Sequence, residues 1–412
     1  MTTHDPASSL DPTQIAPVLA PPRIHRRTVL KGIGIGAATI VVAGTGVVGY
    51  RAYDNGVLEA GAGAPYDPWS HWNDDPSSLG MVGAAILAAN PHNTQAWIFH
   101  VTPTQIDLFA DPSRSHGSLD LLGREKLIGL GCALENLVLA AAPRGFEPSV
   151  TLMPDQNDLT HVATVALTAI PAPAADSALY TAIGTRHSNR GPYMSDVVTA
   201  QQLDALTAQT AGLNGLEVRW FSSEPEMTAM SAMLIAATRA VVSDEQQSID
   251  GFAWFRNNRD DIDRHRDGLT LDAQGLSTVT LTMAKLLPAS SRSAGDDFWL
   301  DQTITVHTRT AAAYGVISVV DPEDTVSRLD GGRLLQRIHL AATANGLALQ
   351  HMNQITERID RELTSGGTAT FAPQMDTLLA QPGRQTLSTF RVGYAEREAR
   401  LSPRRALDAV VG

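Results

Sequence analysis

The stretch from Leu121 to Ala142 constrains the fold of this chain more than any other. Its apolar side chains recur on most faces of a helix rather than along one stripe. Such a helix must be covered on several sides at once, so we expect it to be buried between layers of other elements. The chain has 412 residues, 43% of them hydrophobic, which is enough for two domains, or for one domain doubled, around an ample core.

Predicted strands and helices alternate on both sides of this helix. Before it, a short helix at 81–89 leads into a strand, a turn and a second strand at 96–110. A second series of elements begins at Ser177. Between the central helix and Ser177 we predict strands at 150–153 and 161–169. The second series consists of a helix that starts at 177 and stops at Gly191-Pro192, a helix at 201–211, a strand at 216–221, a helix at 227–242 and strand material at 303–320. The stretch 331–354 is predicted to be a helix that ends at Gly346, with a short segment after it, and a closing strand begins at 389.

The two series share a pattern that indicates an internal duplication. Each has a strand-rich stretch and a buried helix rich in Ala and Leu, and each helix begins with Gly-Arg and is followed by a Gly. We align Gly123 with Gly331 and Gly145 with Gly346. The two spacings differ, 22 residues against 15, so the duplication is an interpretation of a faint pattern.

Charge and cysteine content exclude several classes of function. The formal net charge is −12, so a general nucleic-acid surface is not expected. Cys132 is the one cysteine, which rules out a disulfide within the chain and the cysteine-based zinc spacings, and we expect no metal site. The apolar neighbours of Cys132 favour a small core residue over a catalytic thiol.

The N-terminal residues carry a signal for export rather than for folding. Residues 1–25 are rich in Pro, Thr and Ser and are predicted to be a disordered tail. Residues 26–50 contain Arg26-Arg27, Lys31 and then a stretch without charge, which resembles a twin-arginine export signal. We expect the twin-arginine machinery to deliver the protein to the cell envelope. An ordinary membrane helix is the alternative, and the lack of an A-x-A site before Arg51 favours a retained anchor.

Two arginine-rich motifs, at 185–193 and 401–408, could bind an anion. The spacing of Arg186 and Arg190 predicts one shared helix face, with Ser188 and Asn189 between them. Guanidinium groups and a hydroxyl suit the oxygens of a phosphate, and Arg404 and Arg405 would add two cations if the fold brings the C-terminus close. The alternative is a solvated basic helix face and a basic tail.

A third motif, at 90–97, gathers polar side chains between a helix and a strand. Asn93, Thr94 and Gln95 offer donors and acceptors without charge, which suits the edge of a heteroaromatic ring or a ribityl chain. The alternative is a network of turns and caps where the helix meets the strand. For His92 a structural hydrogen bond competes with a role at the edge of a ring.

These motifs together resemble the nitroreductase superfamily of flavoproteins. NPHNTQAW resembles its S-x-x-N-x-Q-P-W segment, RHSNR its R-x-S-x-R segment, and RVGYAEREARLSPRRALDAVV its closing strand and basic tail. The order of the motifs, with FADPSR, GREKLIGLGCALENL and RDGL between them, is similar to the long, fused Acg-like branch. The chain departs from the pattern at Asn90, where the family usually has Ser, and at Ala96, where it has Pro.

The resemblance implies an α+β fold of the nitroreductase type. It implies two similar halves, at 76–176 and 177–412, each with a mostly antiparallel sheet flanked by helices. The halves would form a single-chain pseudodimer, preceded by an extended linker at 51–75. The polar segment at 253–276 would be a lid-like insertion in the second half.

The resemblance also implies one bound FMN at the interface of the halves, since each half carries only part of the motif set. The arginines and Ser188 would hold the phosphate, and the amides would meet the ribityl chain or the isoalloxazine ring. The residues expected to bind FMN are His92, Asn93, Thr94, Gln95, Arg186, Ser188, Asn189, Arg190, Arg404 and Arg405.

The implied function is an FMN-dependent oxidoreductase with a quinone-like or nitro small-molecule acceptor. Classical members take hydride from NAD(P)H and need no obligatory acid or base, so no catalytic side chain is expected. The alternatives are a flavin-sequestering protein whose lid shuts out substrate and a structural relative without flavin. Because NAD(P)H is scarce outside the cytoplasm, an exported enzyme would need another electron donor.

Overall fold

The structure, a computed structural model, describes residues 45–57 and 60–412. The predicted tail at 1–25 and most of the predicted signal at 26–50 lie outside these residues. Residues 51–412 form one compact unit. In the described part of the chain, the helical stretch Arg124–Arg144 is long and apolar enough to cross a membrane, but 67% of its apolar window is buried inside the protein.

The strands of the described residues form two four-stranded sheets and one short pair. The first sheet contains β1 (Trp97–Val101), β2 (Gln105–Ala110), β3 (Phe146–Leu152) and β4 (His161–Ala169). The later strands, in chain order, are β5 (Glu217–Phe221), β6 (Phe255–Arg256), β7 (Leu269–Thr270), β8 (Ala313–Val319), β9 (Ala348–His351) and β10 (Gln385–Gly393). Strands β6 and β7 form the short parallel pair, and the other four form the second sheet.

Helices cover both large sheets. In chain order the α-helices are α1 (Thr45–Asp54), α2 (Pro68–His71), α3 (Ser78–Ala85), α4 (Arg124–Leu139), α5 (Ala178–Ala182), α6 (Ala200–Thr207), α7 (Glu224–Ser243), α8 (Glu245–Phe252), α9 (Arg259–His265), α10 (Thr278–Leu286), α11 (Arg292–Gln302), α12 (Thr325–Ala344), α13 (Gln354–Ser365) and α14 (Phe371–Leu379). Short 3₁₀ turns lie at Pro91–Asn93, Gly117–Leu119, Ala142–Arg144, Ile183–Thr185, Ala208–Thr210, Leu271–Gln274 and Leu407–Ala409, and a π-helical turn at Thr303–His307.

The two four-stranded sheets have the same topology. The spatial order is β1-β2-β4-β3 in the first and β5-β8-β10-β9 in the second, and all neighbours are antiparallel. In both, a long helix lies between the second and third strand of the chain order: α4 in the first and α12 in the second. The predicted α+β class, with antiparallel sheets flanked by helices, is confirmed.

The two long helices cross at a pair of glycines in the centre of the protein. A Cβ atom on Gly131 would lie 2.0 Å from the carbonyl oxygen of Leu329, and one on Gly332 would lie 2.1 Å from that of Ile128. The contact is therefore reciprocal, and only glycine permits it. The same interface carries a buried ion pair, in which Glu135 accepts from Arg333 at 2.9 Å and from Arg337 at 2.6 Å.

The structure corrects the alignment of the two halves. Gly131 and Gly332 are 201 positions apart, and so are Gly145 and Gly346, which both adopt positive φ (82° and 73°) after the helix. The alignment of Gly123 with Gly331 is wrong, because Gly123 precedes α4 whereas Gly331 lies inside α12. The Gly-Arg pairs that suggested it stand at different places in the two helices.

Several predicted elements match and others do not. The buried helix, the strands of 96–110, 161–169 and 216–221, and the helix of 227–242 are found with ends shifted by a few residues. The helix predicted to end at Gly346 ends at Ala344, and the short segment after it is β9. One of these predictions is wrong: the stretch 303–320 begins with a π-helical turn, so its strand is confined to Ala313–Val319.

The chain ends by returning to the first sheet. After β10 it leaves the second sheet and reaches β1, where the backbone N–H of Phe99 donates to Val410 at 2.8 Å and that of Gly412 donates to Phe99 at 2.9 Å. This parallel bridge extends the first sheet with residues that follow the second. It also carries Arg404 and Arg405 to the start of β1.

Candidate functional site

A cavity of about 570 Å³ lies beside the two long helices. Its walls come from the start of the first half, from α4, from β9 and the start of α13, and from the segment between α7 and β8. The residues of the wall include His92, Glu125, Cys132, Ser188, Arg190, Phe252, Phe255, Leu276, Phe298, Trp299, His307, His351 and Glu357. The volume lies within the roughly 300–1,000 Å³ usual for small-molecule sites.

The segment from α8 to α11 forms the apolar wall of this cavity. Phe252 and Phe255 are stacked with ring centroids 6.4 Å apart, and Leu276, Phe298 and Trp299 extend the apolar surface. The predicted lid at 253–276 is part of this wall, but the wall continues to Gln302. Beyond residue 276 the wall is built by α10 and α11, two short helices that the sequence did not predict.

The amide motif is held in a strained backbone conformation. His92, Asn93 and Gln95 have φ values of 45°, 56° and 51°, a left-handed region that side chains other than glycine rarely adopt. Each such residue costs on the order of 1–3 kcal/mol, so the surroundings must impose it. One constraint is local, since the Asn90 side chain accepts from the backbone N–H of Gln95 at 2.8 Å.

The amide side chains connect the insertion to the C-terminal tail. Asn93 donates to the Pro403 carbonyl at 2.8 Å and accepts from the Arg404 guanidinium at 2.7 Å. Gln95 donates to the Arg266 carbonyl at 2.8 Å and accepts from the Arg405 backbone N–H at 2.8 Å. The polar cluster is therefore the point at which three distant parts of the chain are joined.

Arg186 and Arg404 meet at one carbonyl group. Both donate to the Leu87 oxygen, Arg186 at 2.8 Å and Arg404 at 3.4 Å, and both are buried. Arg186 also contacts the His339 ring at 3.3 Å, and Arg404 lies over the Trp69 ring. Asn93 and Arg186 are thus connected through Arg404 and the Leu87 carbonyl.

The arginine motif at 186–190 is not helical, which corrects the prediction of a shared helix face. The helix α5 and its 3₁₀ turn end at Thr185, and Arg186 is extended (φ −74°, ψ 115°). Ser188 instead forms a parallel bridge with Leu349 of β9. Asn189 donates from its backbone to the Leu349 carbonyl at 3.0 Å and from its side chain to the Arg397 carbonyl at 2.7 Å.

Of the ten residues predicted to bind the cofactor, three line the cavity: His92, Ser188 and Arg190. The others lie behind its wall and bond to protein groups. Thr94, for example, accepts from Arg114 through its carbonyl, and the Arg405 side chain donates to the carbonyls of Gln95 and Ala409. The structure brings the motifs together, and direct cofactor contact by these seven stays a prediction.

The arginines at this end of the cavity lack acidic partners. In the described ranges, no carboxylate pairs with Arg186, Arg190, Arg391 or Arg404, although three of them are less than 3% exposed. Burial lowers the pKa of Arg186 and of Arg190 to about 10, which still leaves both guanidinium groups charged at pH 7. Arg190 has one hydrogen bond, to the Ala273 carbonyl at 3.2 Å. Buried cations without counter-charges favour an anionic ligand.

A smaller cavity of about 300 Å³ adjoins this end. It shares Ser188, Arg190 and Leu276 with the large cavity and is also lined by Arg397 and Arg400. Two acidic residues, Asp272 and Glu398, line it as well, and Asp272 is paired with Lys285 at 2.8 Å. Arg190 therefore lies between the large and the small cavity and lines both.

Sequence reasoning missed further titratable residues of the cavity wall. Burial lowers the pKa of His351 to about 3 and that of His307 well below its usual range, so both rings are neutral at pH 7. Burial raises the pKa of Cys132 to about 12, as expected of a core thiol. Glu125 and Glu357 also lie here. For Glu125 a signal existed, because a carboxylate in a helix that is buried on most faces must itself be buried or paired.

Comparison with known proteins identifies sequence relatives. Over 285 residues the chain is 29% identical to “Putative NAD(P)H nitroreductase Rv3131” of Mycobacterium tuberculosis, covering 68% of this chain and 76% of that protein. Over 345 residues it is 26% identical to acg of the same organism, which carries the same description, covering 80% and 93%. These relatives support the nitroreductase superfamily as the family of the chain. No protein-family model matches it.

Solved nitroreductases overlap with part of the chain. A nitroreductase with bound FMN from Desulfitobacterium hafniense is 16% identical over 56% of this chain and 94% of that one, with a TM-score of 0.34. The alignment with acg is longer than either predicted half, so the sequence similarity extends across both halves. In the described residues, no group of three His, Cys, Asp or Glu side chains is placed to hold a metal ion.

Proposed function

We propose that this protein is an FMN-binding oxidoreductase of the nitroreductase type. The observation that carries the proposal is a group of four arginines, Arg186, Arg190, Arg391 and Arg404, which has no acidic partner among the described residues and lies beside a large apolar cavity. Three of them, Arg186, Arg391 and Arg404, are buried. A phosphate dianion would supply the missing counter-charge. A flat heteroaromatic ring would fit in the cavity on the side of His92.

The residues present fit FMN at both ends of the cavity. Ser188 and Arg190 face the cavity and would hold the phosphate, with Arg186 adding charge behind them. That Arg186 and Arg190 both act on this space is supported by His351, a wall residue whose pKa both arginines help to lower. His92 lies at the edge of the cavity against His116, with ring centroids 4.0 Å apart, and would meet the ring edge.

Bound FMN would supply the two-electron chemistry, and the protein would bind, orient and shield it. NAD(P)H is the electron donor in the names of both relatives, and it would serve this chain before export, whereas another donor would be needed after export. The acceptor would be a quinone-like or nitro compound. The neutral His307 and His351 would add no charge to that of the arginines beside them.

A flavin-sequestering function is the second candidate, and the apolar wall favours it. Residues 245–302 enclose much of the cavity, and Gly268 and Arg266 tie the insertion to Asn93 and Gln95 at 3.2 Å and 2.8 Å. A wall fixed in this way would exclude large acceptors. It would hold the flavin without releasing its electrons.

One experiment separates the two functions. The holoprotein is photoreduced without oxygen and mixed with duroquinone or nitrofurazone, and flavin reoxidation is followed by absorbance. An oxidoreductase reoxidises faster than the same concentration of free reduced FMN. Reoxidation slower than that of free FMN would reject the enzyme function in favour of sequestration.

We also propose that the chain is a single-chain pseudodimer exported by the twin-arginine pathway. The shared strand order of the two sheets and the reciprocal glycine contact support the pseudodimer. Arg26-Arg27, Lys31 and the uncharged stretch after them support export. Changing Arg26 and Arg27 to Lys should leave the protein in the cytoplasm, as measured by fractionation. Unchanged delivery to the cell envelope would reject this route.

A further inference from the structure

The cavity has an acidic wall that FMN binding does not explain. Glu125 of α4 and Glu357 of α13 both line it, and their residues are only 5% and 8% exposed. Leu119, Gln247 and Gln354 line the same cavity. Among the described residues, the positive charges that act on the two glutamates belong to side chains engaged elsewhere: Arg124 pairs with Asp360, and Arg358 bonds to Asp244 and Gln247.

The two carboxyl groups differ in their hydrogen bonds. Glu125 accepts from the Asn353 side chain at 2.7 Å and from the Thr356 hydroxyl at 3.4 Å. The Glu357 carboxyl has no hydrogen-bond partner within residues 45–57 and 60–412, and its Oε2 atom is fully buried. A buried polar group without a protein partner is rare in folded proteins, and one that lines a cavity is free to bond a ligand or an ordered water there.

At neutral pH the Glu357 carboxyl is protonated. Burial raises its pKa to about 8 and raises the pKa of Glu125 well above its usual range, and each carboxylate disfavours ionisation of its acidic neighbours. Glu357 therefore presents an O–H group with no acceptor. Charged and titratable groups from several elements surround it. Its own helix supplies Arg358 and Asp360, and α4 with the turn before it supplies Arg124, Glu125 and Asp120. The others are Asp244 at the end of α7, His116 and Asp250 near the 3₁₀ turn at 117–119, and His351 of β9.

We propose that Glu357, positioned beside Glu125, determines specificity by donating a hydrogen bond to an oxygen atom of a neutral aromatic acceptor. The acceptor class is a quinone or another flat compound with a carbonyl or nitro oxygen. Phe252, Phe255 and Trp299 provide the apolar surface for its ring. This inference rests on the proposed function, because it names the acceptor of the same cavity.

Two features favour this acceptor over a cation. The protonated Glu357 carboxyl carries no charge, so it offers a donor and not a counter-ion. The acidic wall is also electrostatically separate from the arginine end: the main influences on Glu357 are Asp120, Asp360 and Arg358, whereas those on His351 are Arg186 and Arg190. Phosphate and acceptor would therefore be recognised by different parts of one cavity.

Binding can be measured without any redox reaction. Duroquinone does not titrate, and it quenches tryptophan fluorescence, for which Trp299 in the wall is a reporter. The wild-type protein should bind it with constant affinity from pH 6 to 7.5 and lose up to about tenfold per pH unit above pH 8. Glu357→Gln, which keeps a neutral donor, should bind without this pH dependence. Glu357→Leu should bind about tenfold more weakly at pH 7.

A matched control is Glu245→Gln, the same substitution at an exposed position on α8, which should behave like the wild type. Unchanged affinity in Glu357→Leu, or wild-type pH dependence in Glu357→Gln, would overturn the proposal. If Glu357→Leu does not fold, the pH dependence of Glu357→Gln still decides. FMN content is measured in parallel: its absence from the wild type would refute the proposed function, whereas the quinone titration needs no flavin.

Discussion

The arginine residues beside the cavity carry charge without counter-charge. A buried guanidinium is usually paired, and three buried ones together with the half-buried Arg190, without a carboxylate in the described chain, are costly unless a ligand completes them. Arg190 is the one of the four that lines the cavity. Its removal should therefore weaken the binding of an anionic ligand most directly.

Replacing Arg190 with Met should weaken FMN binding. A charge-assisted hydrogen bond contributes about 1.5–3 kcal/mol, so we expect an increase in Kd of roughly tenfold to a hundredfold, measured by fluorescence titration of flavin into apoprotein. Arg309→Met, at an exposed position, is the control and should have no effect. Equal affinity in the two variants would remove Arg190 from the site.

Glu357 should make the protein less stable as the pH rises. Its folded-state pKa of about 8 is above the unfolded value, so between about pH 5 and 8 the folded state holds a proton that the unfolded state has lost. The free energy of unfolding then falls by up to about 1.4 kcal/mol per pH unit. Glu357→Gln should lose this slope and gain stability relative to wild type from pH 5 to 8, measured by urea unfolding. Parallel pH profiles would show that Glu357 is ionised.

Individual residues were only partly predictable from the sequence. The approach of Asn93 and Gln95 to Arg404 and Arg405 was expected, because the motifs resemble one binding site. Their hydrogen bonds to one another were not, since a motif names residue types but not the direction in which each side chain points. Glu357 gave no signal at all, because its burial follows from packing across the halves.

At the element scale, the crossing of α4 and α12 fixes the centre of the molecule. Gly131→Ala should destabilise the protein by more than the 1–3 kcal/mol typical of overpacking, because the added methyl would overlap with backbone rather than with a flexible side chain. Gly295→Ala in α11 is the control, since its methyl would meet Phe252 at an ordinary 3.7 Å and should stabilise the helix by up to about 1 kcal/mol. Thermal unfolding measures both, and equal stability would refute the crossing.

The insertion is anchored by one buried carboxylate. Asp267 accepts from Arg114 and from Arg256, the latter at 2.8 Å, and is 3% exposed. Asp267→Asn should cost about 3 kcal/mol locally, because it leaves two guanidinium groups without their partner. Hydrogen exchange at 253–276 should become faster, while exposed Asp263→Asn leaves it unchanged. No difference between the variants would show that the anchor lies elsewhere.

Helices and strands with a clear hydrophobic periodicity were predicted well, and stretches in which periodicity and residue propensity disagree were not. The helix at 227–242 and the strand at 161–169 have an unambiguous pattern. The stretch 303–320 is rich in Thr and Val, which favour strands, yet its first part continues α11 as a π-helical turn. Tertiary packing overrode local propensity there, and it did so again at 186–190, where pairing with β9 replaces a helix.

At the scale of the whole molecule, the two sheets repeat one topology with different loops. The first half joins β1 to β2 by a short turn, whereas the second inserts the cavity wall at 245–302 between β5 and β8. The amide motif precedes the first sheet and the arginine motif follows it, and both meet the C-terminal tail. We infer that the doubled fold retains one site because each half supplies only part of it.

The stoichiometry of bound FMN tests this account most directly. Purified protein is incubated with excess FMN and desalted, and flavin absorbance is compared with protein concentration. If one FMN binds between the amide and arginine motifs, we expect a yellow protein with one FMN per chain. A colourless protein after this treatment, or a protein that holds two FMN per chain, would contradict it.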